Sequence, residues 1–197
     1  MAEIKSTMDL VLEKLGKMDL EAAPDLEDED VVKEGMRLAA EFLRGEREDL
    51  AAVLQVTDEA RQRATMKGMV RSLLRNIVLP RNEDQKKASR RAIAGVLSVA
   101  RSSGDIVAMF EDVDNILERY LGHRKQMREQ LEQAFASQMQ QMESSLAAQT
   151  GMSVKLQPSQ HPKFAEEWQR LSGDLDDQYG RAIEQYKEEI RRRLTGK

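Results

Sequence analysis

The chain has 197 residues, is 40% hydrophobic and 34% charged, and carries a formal charge of −4. This is enough length for one good core or two small ones, and enough apolar content to rule out wholesale disorder. It has no cysteine, which excludes disulfides, thiolate-held zinc, iron–sulfur clusters and thiol nucleophiles.

Aromatic residues make up only 4% of the chain, so Leu, Ile, Val, Ala and the eleven methionines must build the core. The first thirty residues carry acids throughout and supply no apolar run of the kind a signal peptide needs. No stretch approaches the length of an uncharged apolar span. The expectation is a cytoplasmic protein with no membrane span.

Four prolines and few β-branched runs favour an all-helical chain. Ser6 reads as the cap of a first helix with Asp9 at the capping-box position, and Met8, Val11, Leu12 and Leu15 form its apolar face. Gly16 ends it, and the acidic residues 19–30, with Pro24, read as a linker. A second helix is expected from about Asp30, with Val31, Met36, Leu38, Ala39, Phe42 and Leu43 on or near its buried side and Gly45 at its end. Leu50, Val53 and Leu54 start a third piece.

Thr57 is the expected cap of a fourth helix, on which Met66, Met69, Val70, Leu73, Leu74 and Ile77 recur at helical spacing before Pro80 stops it. Asn82, followed three residues later by Gln85, caps the next, which carries Ala88, Ala92, Ile93, Val96, Leu97 and Ala100. Its small residues, Gly95 among them, predict close approach to a neighbour. Ser103 and Gly104 are expected to end it.

From Asp105 to about Gln149 there is no proline and the only glycine is Gly122. Val113, Leu117, Tyr120, Met127, Leu131, Phe135, Met142 and Leu146 form one stripe of a helix that would be roughly 65 Å long. After a connection at 150–162 a second stripe runs Phe164, Trp168, Leu171, Leu175, Tyr179, Ile183, Tyr186, Ile190, Leu194, in steps of three or four. Gly173 and Gly180 mark a possible break in it. The two stripes are expected to pair as an antiparallel, coiled-coil-like hairpin. The alternative is a compact bundle with the long helix broken near Gly122.

The expected architecture is therefore all-α: an N-terminal helix and acidic linker (1–29), a small helical bundle (30–104), and a long antiparallel helical hairpin (105–197). In the connection, Met152, Val154 and Leu156 alternate with polar residues and would share one side of an extended segment. They either fold back on the hairpin or form a docking tip. Ser159 is the expected cap of the last helix, with Pro162 in its first turn.

Net charge hides an asymmetry. Residues 1–58 hold seven Lys and Arg against sixteen Asp and Glu, residues 59–104 eleven against three, and residues 105–197 thirteen against sixteen. The basic block is ordered. Arg63, Lys67, Arg71 and Arg75 are four apart and fall on one helix face, and Lys86, Lys87, Arg90 and Arg91 repeat the theme on the next helix. Such a face could neutralise phosphates with steep salt dependence, could lie against the acids at 27–30, or could be solvated. It has no interleaved aromatics for stacking on bases.

Catalytic and cofactor patterns are missing from the sequence. The glycines are scattered and neither phosphate-loop pattern occurs. A carboxylate-bridged di-iron site wants Glu three residues before His, but Tyr120 precedes His123 and Pro158 precedes His161. These are the only histidines. His123 reads as solvent-facing and His161 as opening the last helix. No catalytic, cofactor-binding or metal-binding residue is assigned, no cofactor is expected, and the chain reads as non-enzymatic.

The opening AEIKSTMDLVLEK, residues 2–14, resembles the start of a family of uncharacterised bacterial all-helical proteins, AEIKSTxDLVxEK. The resemblance implies a bacterial cytoplasmic setting and lends no activity or functional residue.

The reading of the residues is a helical interaction or assembly protein acting through its C-terminal hairpin. Met152, Val154, Leu156, Trp168, Tyr179 and Tyr186 are its candidate partner contacts, and self-association through the 164–194 stripe is the first mode to test. The alternative is an RNA- or ribosome-associated factor that binds phosphates through the basic residues of 61–91.

Overall fold

The computed structural model describes residues 26–100, 104–151 and 157–196. Among them are six α-helices and no strand. They are α1 Leu26–Arg44, α2 Ala51–Val56, α3 Glu59–Arg75, α4 Glu83–Val99, α5 Gly104–Thr150 and α6 Pro162–Thr195, with a 3-10 turn at Pro158–Gln160 before the last. The expected helix at 6–16 and the triplet Met152, Val154 and Leu156 lie outside the described residues.

Several boundaries follow from local chemistry. Helix α1 begins at Leu26, four residues before the expected start, so the end of the acidic linker is helical. Acids at a helix N-terminus offset the positive end of its dipole. Gly45 adopts a left-handed φ of 85°, and the Gly45 and Glu46 amides close back on the Phe42 and Glu41 carbonyls at 3.0 Å each; glycine takes that φ without strain. The Asn82 side chain accepts the Gln85 amide at 2.9 Å, as expected, and the Gln85 side chain accepts the Arg81 amide at 2.7 Å.

Two expected caps are replaced by neighbours. Asp58 stands at the head of α3, and the Thr57 hydroxyl instead donates back to the Val53 carbonyl at 2.7 Å. His161, not Ser159, caps α6: its Nδ1 accepts the Lys163 amide at 3.2 Å, with Pro162 in the first turn. Gly104 opens α5 where it was expected to end the preceding helix.

Helices α1 and α3 cross closely and antiparallel. A Cβ on Gly35 would stand 2.1 Å from the Thr65 carbonyl oxygen, and one on Gly68 would stand 2.0 Å from that of Val32. Only glycine permits this approach. Gly95 on α4 likewise gives way to Leu73 and Phe42, where a Cβ would come within 2.8 and 2.9 Å.

Helix α5 runs 47 residues without a break at Gly122, about 70 Å by its rise. Helix α6 likewise passes through Gly173 and Gly180 unbroken. The hairpin is antiparallel: Asp105 meets Arg193, Asp112 meets Tyr186, Tyr120 meets Asp176, and Phe135 meets Phe164. Its base is not separate from the bundle. Ile106, Phe110, Val113 and Leu117 of α5 and Ile183 and Ile190 of α6 share one buried cluster with Leu38, Phe42, Leu73, Ile77 and Val96. The position 104/105 thus marks a change of helix length and not a gap in packing. No helix among the described residues is long and apolar enough to cross a membrane.

Candidate functional site

The two halves of the basic block have different fates. Arg63, Lys67, Arg71 and Arg75 are all exposed on α3 and make no ion pair among the described residues. They line the seam between α3 and the end of α6. Arg63 and Lys67 border a groove of about 530 Å³ with Leu194 and Thr195, and Arg71 and Arg75 border one of about 450 Å³ with Val78 and Arg191.

The α4 residues are spent inside the molecule. Lys86 is 5% exposed, with its ammonium on Glu83 at 2.8 Å and Glu118 at 2.9 Å. These two hydrogen bonds outweigh its burial and raise its pKa. Arg90 grips Asp114 with two bonds of 2.6 and 2.8 Å, which raise its pKa as well. Arg91 donates to the Phe42 carbonyl at 2.8 Å and stacks over that ring, 5.0 Å from its centroid. Arg90 and Arg91 remain exposed despite these bonds, and Lys87 is 3.5 Å from Asp84 on the same helix. Carboxylates or a carbonyl hold Lys86, Arg90 and Arg91, which fasten α4 to α5 and α1, so a phosphate would have to compete with these bonds.

The middle of the hairpin carries a polar aromatic cluster. The Tyr120 ring is buried, and its hydroxyl donates to Asp176 at 2.5 Å and accepts from Arg124 at 3.1 Å. Burial first, and then the Asp176 bond, raise its pKa above the ordinary phenol value of 10.0, with Arg124 pulling the other way. Tyr179 packs edge-on against Tyr120 at 5.5 Å, and its hydroxyl sits 2.6 Å from the exposed His123 Nδ1. Arg124 and Arg128 lie over the Trp168 ring, 5.0 and 5.9 Å from its centroid.

Trp168, Tyr179 and Tyr186 are thus used within the chain. Tyr186 packs on the core and donates to Asp112 at 3.0 Å. Phe164, Leu175, Ile183 and Ile190 of the same stripe are buried. Self-association through the 164–194 stripe would have to use what α5 and the bundle leave uncovered, the half-buried Trp168, Leu171, Tyr179, Tyr186 and Leu194.

Beside the cluster, where the start of α4 meets the hairpin, lies a cavity of about 650 Å³. Arg81, Lys125, Leu121, Gly122 and Trp168 are among its lining residues. Nothing in the order of residues announces it, because Arg81 and Trp168 border one cavity only through the tertiary fold.

The outer half of the hairpin differs from its base. The α4 helix pairs with α5 through Lys86–Glu118 and Arg90–Asp114, so it runs out a little beyond Leu121. The outer arm has a thin seam, in which Met139 and Phe164 are buried while Met127, Leu131, Phe135 and Leu171 are only half-covered. Its outward face on α5 is almost uncharged. Residues 133–151 hold one ionisable group, Glu143, in a chain that is 34% charged. Gln130, Ala134, Gln138, Gln141, Met142 and Ser145 are exposed there, and Met142 is 44% exposed. A running count of charge along the sequence would have found this face.

No curated protein and no solved structure matches the chain. A family model does match, over residues 51–192, which takes in α2, α3 and α4 of the bundle and nearly all of the hairpin. The chain belongs to that family, DUF6657, a family of unknown function.

Proposed function

We propose that the protein is a non-enzymatic helical interaction protein of the bacterial cytoplasm, which presents the outer arm of its hairpin to a protein partner. The observation that carries this reading is the uncharged outward face of residues 133–151 on a two-helix arm with a half-covered seam. Interface cores are depleted in charge. Two helices alone cannot bury a full apolar stripe, so a third helix laid along the arm would complete its packing. A second copy of the chain is the first partner to test.

A photoreactive side chain at Gln138 tests this in living cells. It should crosslink a discrete protein or a second copy, while the same group at exposed Lys87 on the bundle should not. Met142→Glu should abolish the crosslink, and salt should leave it unchanged. No crosslink at Gln138, or the same products at Lys87, would reject the reading.

One observation favours a second reading, phosphate binding by the α3 stripe. Arg63, Lys67, Arg71 and Arg75 are exposed and make no ion pair among the described residues. Four cations spaced every turn would track a nucleic-acid backbone. RNA binding that weakens with salt, and is lost in Arg71→Glu/Arg75→Glu, would support it over the first.

A further inference from the structure

The cavity between the start of α4 and the middle of the hairpin combines three features that neither functional reading uses. Its volume of about 650 Å³ falls within the range of small-molecule sites. It has an apolar wall, formed by Leu121, Gly122 and the half-buried Trp168 indole. It also has cationic side chains, of which Arg81 makes no ion pair and Lys125 only a long one among the described residues.

The charge balance shows this. Two lining acids, Glu83 and Glu118, share the one Lys86 ammonium, at 2.8 and 2.9 Å, and Arg90 reaches Glu118 at 3.4 Å while it grips Asp114, so part of the acids' charge stays on this wall. Lys86 does not itself line the cavity. Arg81 has no ion pair among the described residues. Lys125 is 79% exposed, and its one carboxylate neighbour, Glu129, is 3.9 Å away, beyond hydrogen-bonding distance. Arg124 and Arg128 also line the site and share their charge with Asp176 and Glu132. An anion entering the cavity would therefore meet Arg81 and Lys125, neither of which hydrogen-bonds a carboxylate among the described residues, and a flat ring entering it would meet the indole beside Arg124 and Arg128, which already lie over its ring.

We propose that this cavity binds a nucleotide, with its phosphates on Arg81 and Lys125 and its base against the wall of Trp168, Leu121 and Gly122. An inorganic anion would pair with the cations but make no use of the apolar wall beyond the stacking that Arg124 and Arg128 already give the indole. An uncharged aromatic would desolvate cations without pairing them. A base joined to phosphate satisfies both walls at once. The same chemistry comes from a free nucleotide or from a nucleotide within RNA, and the size of the cavity fits the free one.

Trp168 is the chain's single tryptophan, so its fluorescence reports on the site alone. The full chain is titrated with ADP, excited at the red edge of the indole band where the base does not absorb. ADP should quench saturably, and pyrophosphate and adenosine should each bind at least about tenfold more weakly. Arg81→Glu/Lys125→Glu should weaken ADP at least about tenfold, with helicity unchanged by circular dichroism because both side chains are exposed.

Gly122→Leu gives a second, steric test. A Cβ there meets nothing within 4 Å, and replacing glycine strengthens the helix, so this variant folds while filling the cavity. It should abolish the quench. A short oligoadenylate that binds no more tightly than ADP assigns the site to free nucleotides. One that binds at least about tenfold more tightly, through the same residues, assigns the base-and-phosphate site to RNA. No saturable change at millimolar ADP, equal binding of adenosine or pyrophosphate, or a quench that survives Gly122→Leu would overturn the proposal.

Discussion

The base and the outer arm of the hairpin are built from the same two helices with the same spacing of apolar residues, yet they end in different states. At the base, Val113, Leu117, Ile183 and Ile190 are fully or almost fully buried because α3 and α4 lie against the pair. In the arm, Leu131, Phe135 and Leu171 occupy equivalent positions and stay half-covered. Periodicity decides which side of a helix faces inward. The number of neighbouring elements decides how much of that side leaves water. The arm therefore contributes little to stability and keeps its surface for a partner, whereas the base is part of the core.

The largest test of this contrast is a pair of truncations. Leu117→Ala, at a side chain with 0% exposure, should cost about 3 kcal/mol in urea unfolding. Leu131→Ala should cost less, about 1–2 kcal/mol, because that side chain stays partly in water in the folded chain. Equal losses would show that arm and base unfold as one energetic unit.

Tyr120 stands where the two regions join, and removing its hydroxyl probes the junction. Tyr120→Phe should cost about 1 kcal/mol, since Asp176 and Arg124 lose their shared partner. A neutral result would place the junction's stability in ring packing alone.

The smallest expected effect is on pH dependence. Burial and the Asp176 bond hold the Tyr120 proton, and the Asp112 bond holds that of Tyr186, to higher pH in the folded chain than in the unfolded one. The resulting stabilisation is complete below the unfolded value of 10.0 and is lost as pH rises through the raised folded values. Ultraviolet titration should show Tyr120 and Tyr186 ionising above the ordinary range in the native protein and not in urea, and each step should disappear in the matching Tyr→Phe variant. Ordinary titration of Tyr120 and Tyr186 would deny these hydroxyl bonds.

Much of the helical layout was legible in the sequence. The Asn82 cap, the close approach at Gly95, the long proline-free α5 and its return through α6 all rest on local residue chemistry, and all appear. The caps at Asp58 and His161 were misread because several polar residues stand near each helix start, and backbone direction chooses among them. The Gly35–Gly68 crossing was missed since two glycines thirty-three positions apart announce nothing until their helices meet.

Sites were less legible than elements. Lys86 and Arg63 look alike in a sequence, and only the position of Glu118, on another helix, makes one a buried fastener and leaves the other free. Trp168 and Tyr186 looked like contacts for a partner because large apolar rings at helical spacing fit an external interface as well as an internal seam.

By itself the sequence determined that the chain is helical, that it doubles back on itself, and that no cysteine chemistry is open to it, because helix periodicity, turn residues and composition are local quantities. Only the tertiary structure decided which cations are neutralised, which half of the hairpin is core, and that Arg81 and Trp168 border one cavity. Charge pairing and burial depend on distances between residues far apart in the chain, and those distances are set only when the helices pack.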